Sequence, residues 1–253
     1  MFDAYFSEME SIKEDYINKY KSIIKHKDTK RIYLKDFPNL ESYLNVCYDK
    51  INFDNVSIYL TTKKQFNKVG MGYAAGFFLN EIKSIFILDQ IKTIKSKFKY
   101  KLDQLIFQNK FINLNQEDVL IHELMHYISS CKRNNGNFEY KNMEEEFAYT
   151  SCIKYYLANN KSEEDIKNII FPFCVSAIFE DKDKINSICI KTNIDKKDFF
   201  NAKNATLISK FIIEEAKNYV DEILRIYHTK GVLDLNTTYE PYDDMRFSLL
   251  GEI

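Results

Sequence analysis

Two of the four histidines in this chain of 253 residues are four positions apart in the stretch VLIHELMHYIS, residues 119 to 129. Each residue of a helix advances by about 100°, so His122 and His126 would lie one above the other on the same face. Two imidazoles so placed can converge on one metal ion. Glu123 is offset from that face and can reach a water molecule that the ion holds. The spacing therefore predicts two zinc ligands with a general base beside them.

A buried helix that contains two ordinary histidines is the alternative interpretation. Most of the other positions in the stretch are apolar, so this helix is expected to be largely buried. A buried histidine needs a polar partner, and a metal ion is one such partner. The metal interpretation is therefore favoured over a coincidence of spacing.

The third ligand that a catalytic zinc needs is not a nearby histidine. The extended motif H-E-x-x-H-x-x-G-x-x-H would require one at the position of Lys132. An acidic ligand remains, and the stretch NMEEEFAYTSCIKYYL, residues 142 to 157, opens a second predicted helix with three consecutive glutamates. Glu145 is favoured, because it would share a face suited to burial with positions 148, 149, 152 and 156. Glu144 and Glu146 stay open as alternatives.

The two stretches together resemble the zincin metallopeptidases of the glutamate-ligand type, often called gluzincins. In several of those families the second helix carries the pattern E-x-x-A-[D/N], with the first glutamate on zinc. Laid on this chain, that pattern makes Glu145 the ligand and Ala148 the small residue that lets the two helices approach. Tyr149 stands where the family usually has an Asp or Asn that hydrogen-bonds a ligand histidine. The resemblance covers roughly residues 56 to 158.

A zinc-dependent peptidase that hydrolyses peptide or protein substrates is the function that the resemblance implies. Zn²⁺ on His122, His126 and Glu145 would activate a water molecule, and Glu123 would act as the general base. An endopeptidase is favoured over an exopeptidase, because no anchor for a peptide terminus is evident in the sequence.

Zincins place a small sheet before the motif helix, and an edge strand of that sheet pairs with the bound peptide. This chain has the same order of elements. Ala74, Ala75 and Gly76 have small side chains, so a peptide backbone could approach them and add a strand. An ordinary hairpin within a small sheet is the alternative.

Many zincins also use a downstream His or Tyr to stabilise the oxyanion. His228, Tyr239 and Tyr242 are candidates by their position in the chain. For His228 the alternative is a favourable charge at a helix C-terminus, just before Gly231.

Other functions remain open. A catalytically silent zincin-fold protein, with a structural or interaction role within a larger assembly, is the main alternative. The intact Glu123 argues against it, because a silent scaffold needs no base. A deformylase would require a cysteine ligand in a Gly-Cys-Leu setting, whereas Cys47 lies in NVCYDK. A regulatory protease that cleaves one partner protein is a third possibility.

The elements that must position these residues belong to the α+β class. Short β-branched and aromatic runs predict strands at 56–62, 72–79 and 84–89, of which the last two form a hairpin. Helices are expected at 3–26, 38–51, 91–110, 116–131, 143–158, 162–180 and 205–229. The fold is therefore expected to be zincin-like. Within a single compact chain we expect an N-terminal helical part (1–55), a catalytic core (56–160) and a C-terminal helical part (161–253).

The composition excludes several other classes of protein. The net charge of −1 gives no general attraction to nucleic acid. The five cysteines are odd in number and form no C-x-x-C pair, which argues against a disulfide framework or a zinc ribbon. The N-terminus resembles no signal peptide, and the apolar run at 169–179 is too short to span a bilayer. A soluble cytoplasmic protein of unknown oligomeric state is expected.

Overall fold

The computed structural model describes residues 14–15, 17–71, 74–89, 102, 105–106, 114–133 and 141–233, with the backbone alone at 141–143 and 180. Helices and a small sheet make up this part of the chain, which confirms the α+β class. The strands are β1 (Lys30–Ile32), β2 (Ser57–Thr61), β3 (Gly76–Leu79) and β4 (Ser84–Leu88). The helices are α1 (Pro38–Cys47), α2 (Lys63–Lys68), α3 (Gln116–Arg133), α4 (Lys141–Ala158), α5 (Glu163–Glu180), α6 (Lys182–Thr192) and α7 (Ala205–Lys230).

The four strands form one mixed sheet in the order β1-β2-β4-β3. The pairing of β2 with β4 is parallel, and the other two pairings are antiparallel. The strands β3 and β4 form the predicted hairpin, with Gly76 opposite Ile87. Within the described strands β3 pairs with β4 alone, so it is an edge strand.

The free edge of β3 carries the main-chain groups of alternate residues. The Leu88 N–H donates to the Ala75 carbonyl over 2.9 Å, so Ala75 lies at a hydrogen-bonded position of the hairpin. Antiparallel strands alternate between bonded and non-bonded positions. The main-chain N–H and C=O groups of Gly76 and Phe78 therefore point away from β4.

The two faces of the sheet pack against different helices. The Phe78 ring lies 5.8 Å from the Tyr127 ring of α3. The Phe77 ring points to the opposite face, where it lies 5.0 Å from the Phe66 ring of α2 and 5.5 Å from the Tyr20 ring. Tyr20 belongs to a helical stretch at 17–24. The sheet thus supports α3 from one side and is itself covered on the other.

β3 approaches α3 closely at Gly76. A Cβ atom at this position would lie 2.4 Å from Val119 Cγ1 and 3.2 Å from Glu123 Cγ. A Cβ atom essentially never lies at the first of these distances, so any larger residue here would force Val119 or the strand to shift. The crossing holds Glu123 directly against the edge strand.

The helix that carries the histidines begins at a reciprocal cap. The Asn115 N–H donates to Asp118 Oδ2 and the Asp118 N–H donates to Asn115 Oδ1, each over 2.9 Å. This arrangement satisfies main-chain donors that a helix start leaves unpaired. Further along α3 the apolar side chains are fully buried, namely Val119, Leu120, Ile121, Leu124, Met125 and Ile128.

The later helices pack against α3 and against one another. α4 contacts α3 and α7, and α5 contacts α7 and α4. Ala148 of α4 is completely buried. The Leu233 N–H, just after α7, donates to Thr150 Oγ1 of α4 over 3.3 Å. Residues 161–233 are therefore in direct contact with the helix that carries the three glutamates.

Some elements differ from the prediction. α1 ends at Cys47 rather than near residue 51, and β1, α2 and α6 were not predicted at all. Most of the predicted helix at 91–110 and the C-terminal stretch from 234 onwards lie outside the described residues. In the part of the chain that the structure describes, no helix combines the length and the apolar character that a membrane crossing requires.

Candidate metal centre

The structure brings together the three side chains that the sequence analysis assigned to a metal ion. The Nε2 atoms of His122 and His126 are 3.1 Å apart. Glu145 Oε2 lies 3.6 Å from His122 Nε2, and Glu145 Oε1 lies 3.4 Å from His126 Nε2. One donor atom from each side chain thus lies within 4.8 Å of the other two.

These separations suit a tetrahedral ion. Zinc binds histidine nitrogen and carboxylate oxygen at about 2.0–2.1 Å, which sets neighbouring ligand atoms roughly 3.3–3.4 Å apart. The two Nε2 atoms are 3.1 Å apart, and Glu145 presents a different oxygen to each of them, Oε1 at 3.4 Å from His126 and Oε2 at 3.6 Å from His122, so the cluster has the size that a zinc ion requires. Two imidazoles and one carboxylate are also a donor set of catalytic zinc sites, in which water takes the fourth position.

Glu144, which precedes Glu145 in the chain, contacts the outer ring nitrogen of His126. His126 Nδ1 lies 3.2 Å from Glu144 Oε1. When the Nδ1–H donates to this carboxylate, the lone pair of the ring is on Nε2, the atom that faces His122 and Glu145. A partner on the outer nitrogen fixes the tautomer and the orientation of a ligand histidine.

The three consecutive glutamates, Glu144 to Glu146, therefore have different contacts. Glu145 faces both Nε2 atoms and Glu144 faces Nδ1 of His126. Glu146 is not among the three residues that could share an ion, and its main-chain carbonyl accepts a hydrogen bond from Thr150 Oγ1 over 2.8 Å. Spacing alone could not separate them, because all three lie within one helical turn.

The pKa values of the two histidines move in opposite directions. Burial, followed by the neighbouring His126, holds the pKa of His122 well below its usual value of 6.5. Burial also acts to lower the pKa of His126, but the hydrogen bond to Glu144 and the charges of Glu145 and Glu123 outweigh it and raise that pKa to about 9. His122 is therefore neutral at pH 7, the state in which imidazole binds a metal. Metal-free His126 is protonated at pH 7, so an ion that binds its Nε2 must displace a proton.

Aromatic rings surround His122. The Phe173 ring of α5 is stacked on it at 4.6 Å with an interplanar angle of 24°, and the Tyr149 ring lies at 5.2 Å with an angle of 35°. Among the described residues His122 Nδ1 is buried and has no hydrogen-bond partner. Phe173 could not be predicted from the sequence as part of this centre, because nothing in the apolar run around it distinguishes one core residue from another.

Tyr149 replaces the Asp or Asn of the gluzincin pattern, and it meets His122 through its ring. Burial, followed by the charge of Glu145, raises the pKa of Tyr149 well above 10, so the phenol stays protonated. The Tyr219 ring of α7 lies 6.0 Å from the Tyr149 ring. α5 thus places a ring on His122, and α7 places a ring beside Tyr149.

The residue predicted as general base is buried against the sheet. Glu123 is 6 % exposed, and its Cγ is next to the position of Gly76 described above. Its charge is one of the causes that raise the pKa of His126. The Glu123 carboxylate therefore acts electrostatically on the histidine pair.

The remaining predicted site residues lie elsewhere or at the edge of the centre. Ala74 and Ala75 are partly buried and lead into β3. The His228 side chain is 55 % exposed, and its Nε2 lies 3.6 Å from Glu163 Oε2 at the start of α5. The oxyanion role of His228 stays a prediction, while Tyr239 and Tyr242 lie outside the described residues.

Comparison with known proteins finds no match: the chain matches no family model, no curated protein and no solved structure. The resemblance to gluzincins therefore depends on the two motif stretches alone. Functional inference depends on the geometry of the centre and on its chemistry.

Proposed function

We propose that this chain is a zinc-dependent metallopeptidase with a zincin-like catalytic core. The observation that carries the proposal is the convergence of His122, His126 and Glu145, each of which places a donor atom within 4.8 Å of the other two. Zinc held there would lower the pKa of a water molecule towards about 7 and polarise a substrate carbonyl. A half-exposed Glu145 leaves the centre open to water on one side.

Glu123 is the general base of the proposed reaction. It would take a proton from the attacking water and pass it to the leaving amine. Its side chain is buried and held against β3, so its position is fixed before the substrate arrives. Such fixed positioning is one of the main sources of rate acceleration in enzymes.

An extended peptide is the substrate that the surroundings of the centre favour. Gly76 and Phe78 have main-chain groups that point away from β4, and Gly76 is adjacent to the proposed base. A peptide that added a strand at this edge would have its backbone near Glu123 and the ligand set. An endopeptidase that binds its substrate as a strand fits this arrangement.

Metal content and cleavage together test the proposal. Purified wild-type protein is expected to contain one zinc ion per chain, and His126→Ala and Glu145→Ala are expected to lose it. Glu146→Ala is the matched control, because it removes the same charge from the same helical turn without removing a ligand. A peptide library incubated with wild-type protein and with Glu123→Gln then measures hydrolysis.

The zinc and cleavage measurements have three informative outcomes. Zinc binding with cleavage that depends on Glu123 supports the peptidase. Zinc binding without cleavage of any peptide would leave a structural or interaction role in a zincin-like scaffold. Wild-type protein that binds no zinc even after reconstitution would refute the metal centre and the peptidase alike.

A further inference from the structure

The two histidines of the centre are held in different ways. His126 has a carboxylate, Glu144, at 3.2 Å from its outer nitrogen. His122 has no such partner among the described residues, and its Nδ1 is buried. The His122 ring instead contacts the rings of Phe173 and Tyr149.

Phe173 makes the closer and more nearly parallel of these contacts. Its ring centroid is 4.6 Å from that of His122 with an interplanar angle of 24°, against 5.2 Å and 35° for Tyr149. A stacked ring obstructs rotation of the imidazole about its last side-chain bond. A hydrogen bond on the outer nitrogen restrains the ring orientation in other histidine metal sites and also fixes the tautomer, whereas stacking supplies the first of these two restraints.

We propose that Phe173 is a positioning residue for His122, and that ring stacking replaces the missing hydrogen bond at this ligand. This inference depends on the zinc centre proposed above. Phe173 belongs to α5, which lies in the predicted C-terminal helical part and outside both motif stretches. Metal affinity therefore depends on a helix that the gluzincin pattern does not include.

Zinc affinity of a set of substitutions tests this role. Phe173→Leu removes the ring, and Phe173→Tyr retains it. Phe179→Leu is the matched control, because Phe179 is also a partly buried phenylalanine of α5 and is stacked on another ring, that of Phe200, at 6.1 Å and 25°. Competition with a chromophoric chelator measures the Kd of each folded variant for zinc. Phe173→Met, which also lacks a ring, repeats the test if the leucine variant does not fold.

We expect Phe173→Leu to weaken zinc binding by about tenfold, in the range seen when the supporting partner of a metal ligand is removed. Phe173→Tyr should bind zinc within about threefold of wild type, and Phe179→Leu should bind it as wild type does even if both leucine variants melt earlier. Cobalt-substituted Phe173→Leu should have an altered visible spectrum, because the geometry of one ligand has changed.

A second readout is independent of the metal. In the metal-free protein the ring protons of His122 should be shifted upfield by the stacked phenylalanine, and Phe173→Leu should remove much of that shift. Phe179→Leu should leave it unchanged.

Several outcomes would overturn the inference. Wild-type zinc affinity in Phe173→Leu, while wild type itself binds zinc, refutes the role of Phe173 and leaves the peptidase proposal intact. A Phe173→Tyr variant that does not retain the zinc affinity of wild type also refutes the role of Phe173. Absence of zinc from wild type refutes both proposals, whereas the expected pattern of affinities without any peptide cleavage refutes only the peptidase.

Discussion

Consecutive glutamates at the start of α4 occupy three different environments. Glu145 faces the two Nε2 atoms, Glu144 accepts from the outer nitrogen of His126, and Glu146 is outside the ligand group. A ligand and the partner that orients another ligand are thus adjacent in the chain. Each of the three should contribute to metal affinity according to its environment.

Substitution of each glutamate by glutamine should rank the three residues by their contribution to zinc affinity. Glu145→Gln replaces a charged ligand with a weak neutral one, so we expect zinc affinity to fall by more than about a hundredfold. Glu144→Gln keeps an acceptor for His126 but loses its charge, and a loss of about tenfold is expected. Glu146→Gln should change the Kd by less than about twofold. Chelator competition measures all three, and a larger effect at position 146 than at 145 would show that the ligand is assigned to the wrong residue.

Glu123 should affect catalysis and not metal binding. Glu123→Gln cannot accept the proton of water, so kcat is expected to fall by about 10²–10⁴. Zinc content should stay at the wild-type level, because Glu123 is not a ligand. Both quantities are measured on the same preparation. Full activity in this variant, with zinc bound, would contradict the proposed mechanism.

Of the described elements, the long helices α3, α4, α5 and α7 and the strands β2, β3 and β4 were predicted, whereas β1, α2 and the 11-residue α6 were not. The bounds of α3 and α4 agree with the predicted helices at 116–131 and 143–158 to within about two residues at each end, because each has several turns of buried positions. β1 has three residues and α2 has six. Segments of that length are stabilised by their neighbours in space, so the local sequence carries little information about them.

The surroundings of the metal centre were predictable to a smaller extent than its ligands. The spacing of His122 and His126 is local, and it determines their common face of α3. Phe173 is in another helix, and its contact with His122 depends on how α5 packs. Gly76 was predicted as a site for a substrate strand, whereas the structure also gives it a contact with α3 that no local pattern encodes.

The crossing of β3 over α3 should be sensitive to one methyl group. Gly76→Ala would put a Cβ at 2.4 Å from Val119 Cγ1, and we expect destabilisation of about 1–3 kcal/mol from this overlap. Displacement of Glu123 should also lower kcat, with zinc affinity unchanged. Chemical denaturation and cleavage assays measure the two effects.

Val119→Ala supplies the control for this crossing. It removes the atom that the new methyl group would meet, so the double substitution should be more stable than the sum of the single effects predicts. Strict additivity of the two changes in unfolding free energy would indicate that the strand and helix do not meet as described.

At the scale of the whole molecule, the metal centre joins several parts of the chain. Its proposed ligands come from α3 and α4, and the proposed base lies against β3. Phe173 of α5 is stacked on His122, and Tyr219 of α7 lies beside Tyr149. The hydrogen bond between Leu233 and Thr150 adds a further link between the end of α7 and α4. Because the ligands meet only in the packed structure, zinc should stabilise the folded state over the unfolded one.

Thermal unfolding should therefore depend on the metal. At a free zinc concentration about a hundred times the Kd, linkage predicts a stabilisation of about 2.7 kcal/mol. Calorimetry should record a higher Tm with zinc than with a chelator, and one shared transition. His126→Ala is the control and should melt at the same temperature in both conditions. An equal zinc effect in this variant would mean that the ion binds elsewhere.

The open edge of β3 has a consequence for which proteins such an enzyme could cut. Four residues span only about 13 Å, and the main-chain groups of Gly76 and Phe78 are what this free edge offers to a partner strand. Any segment able to lie extended could pair there, while a segment already held in a helix or between two strands could not. Selectivity would then reflect the conformational state of the substrate more than its sequence, and locally unfolded or unstructured regions of other proteins would be cleaved first.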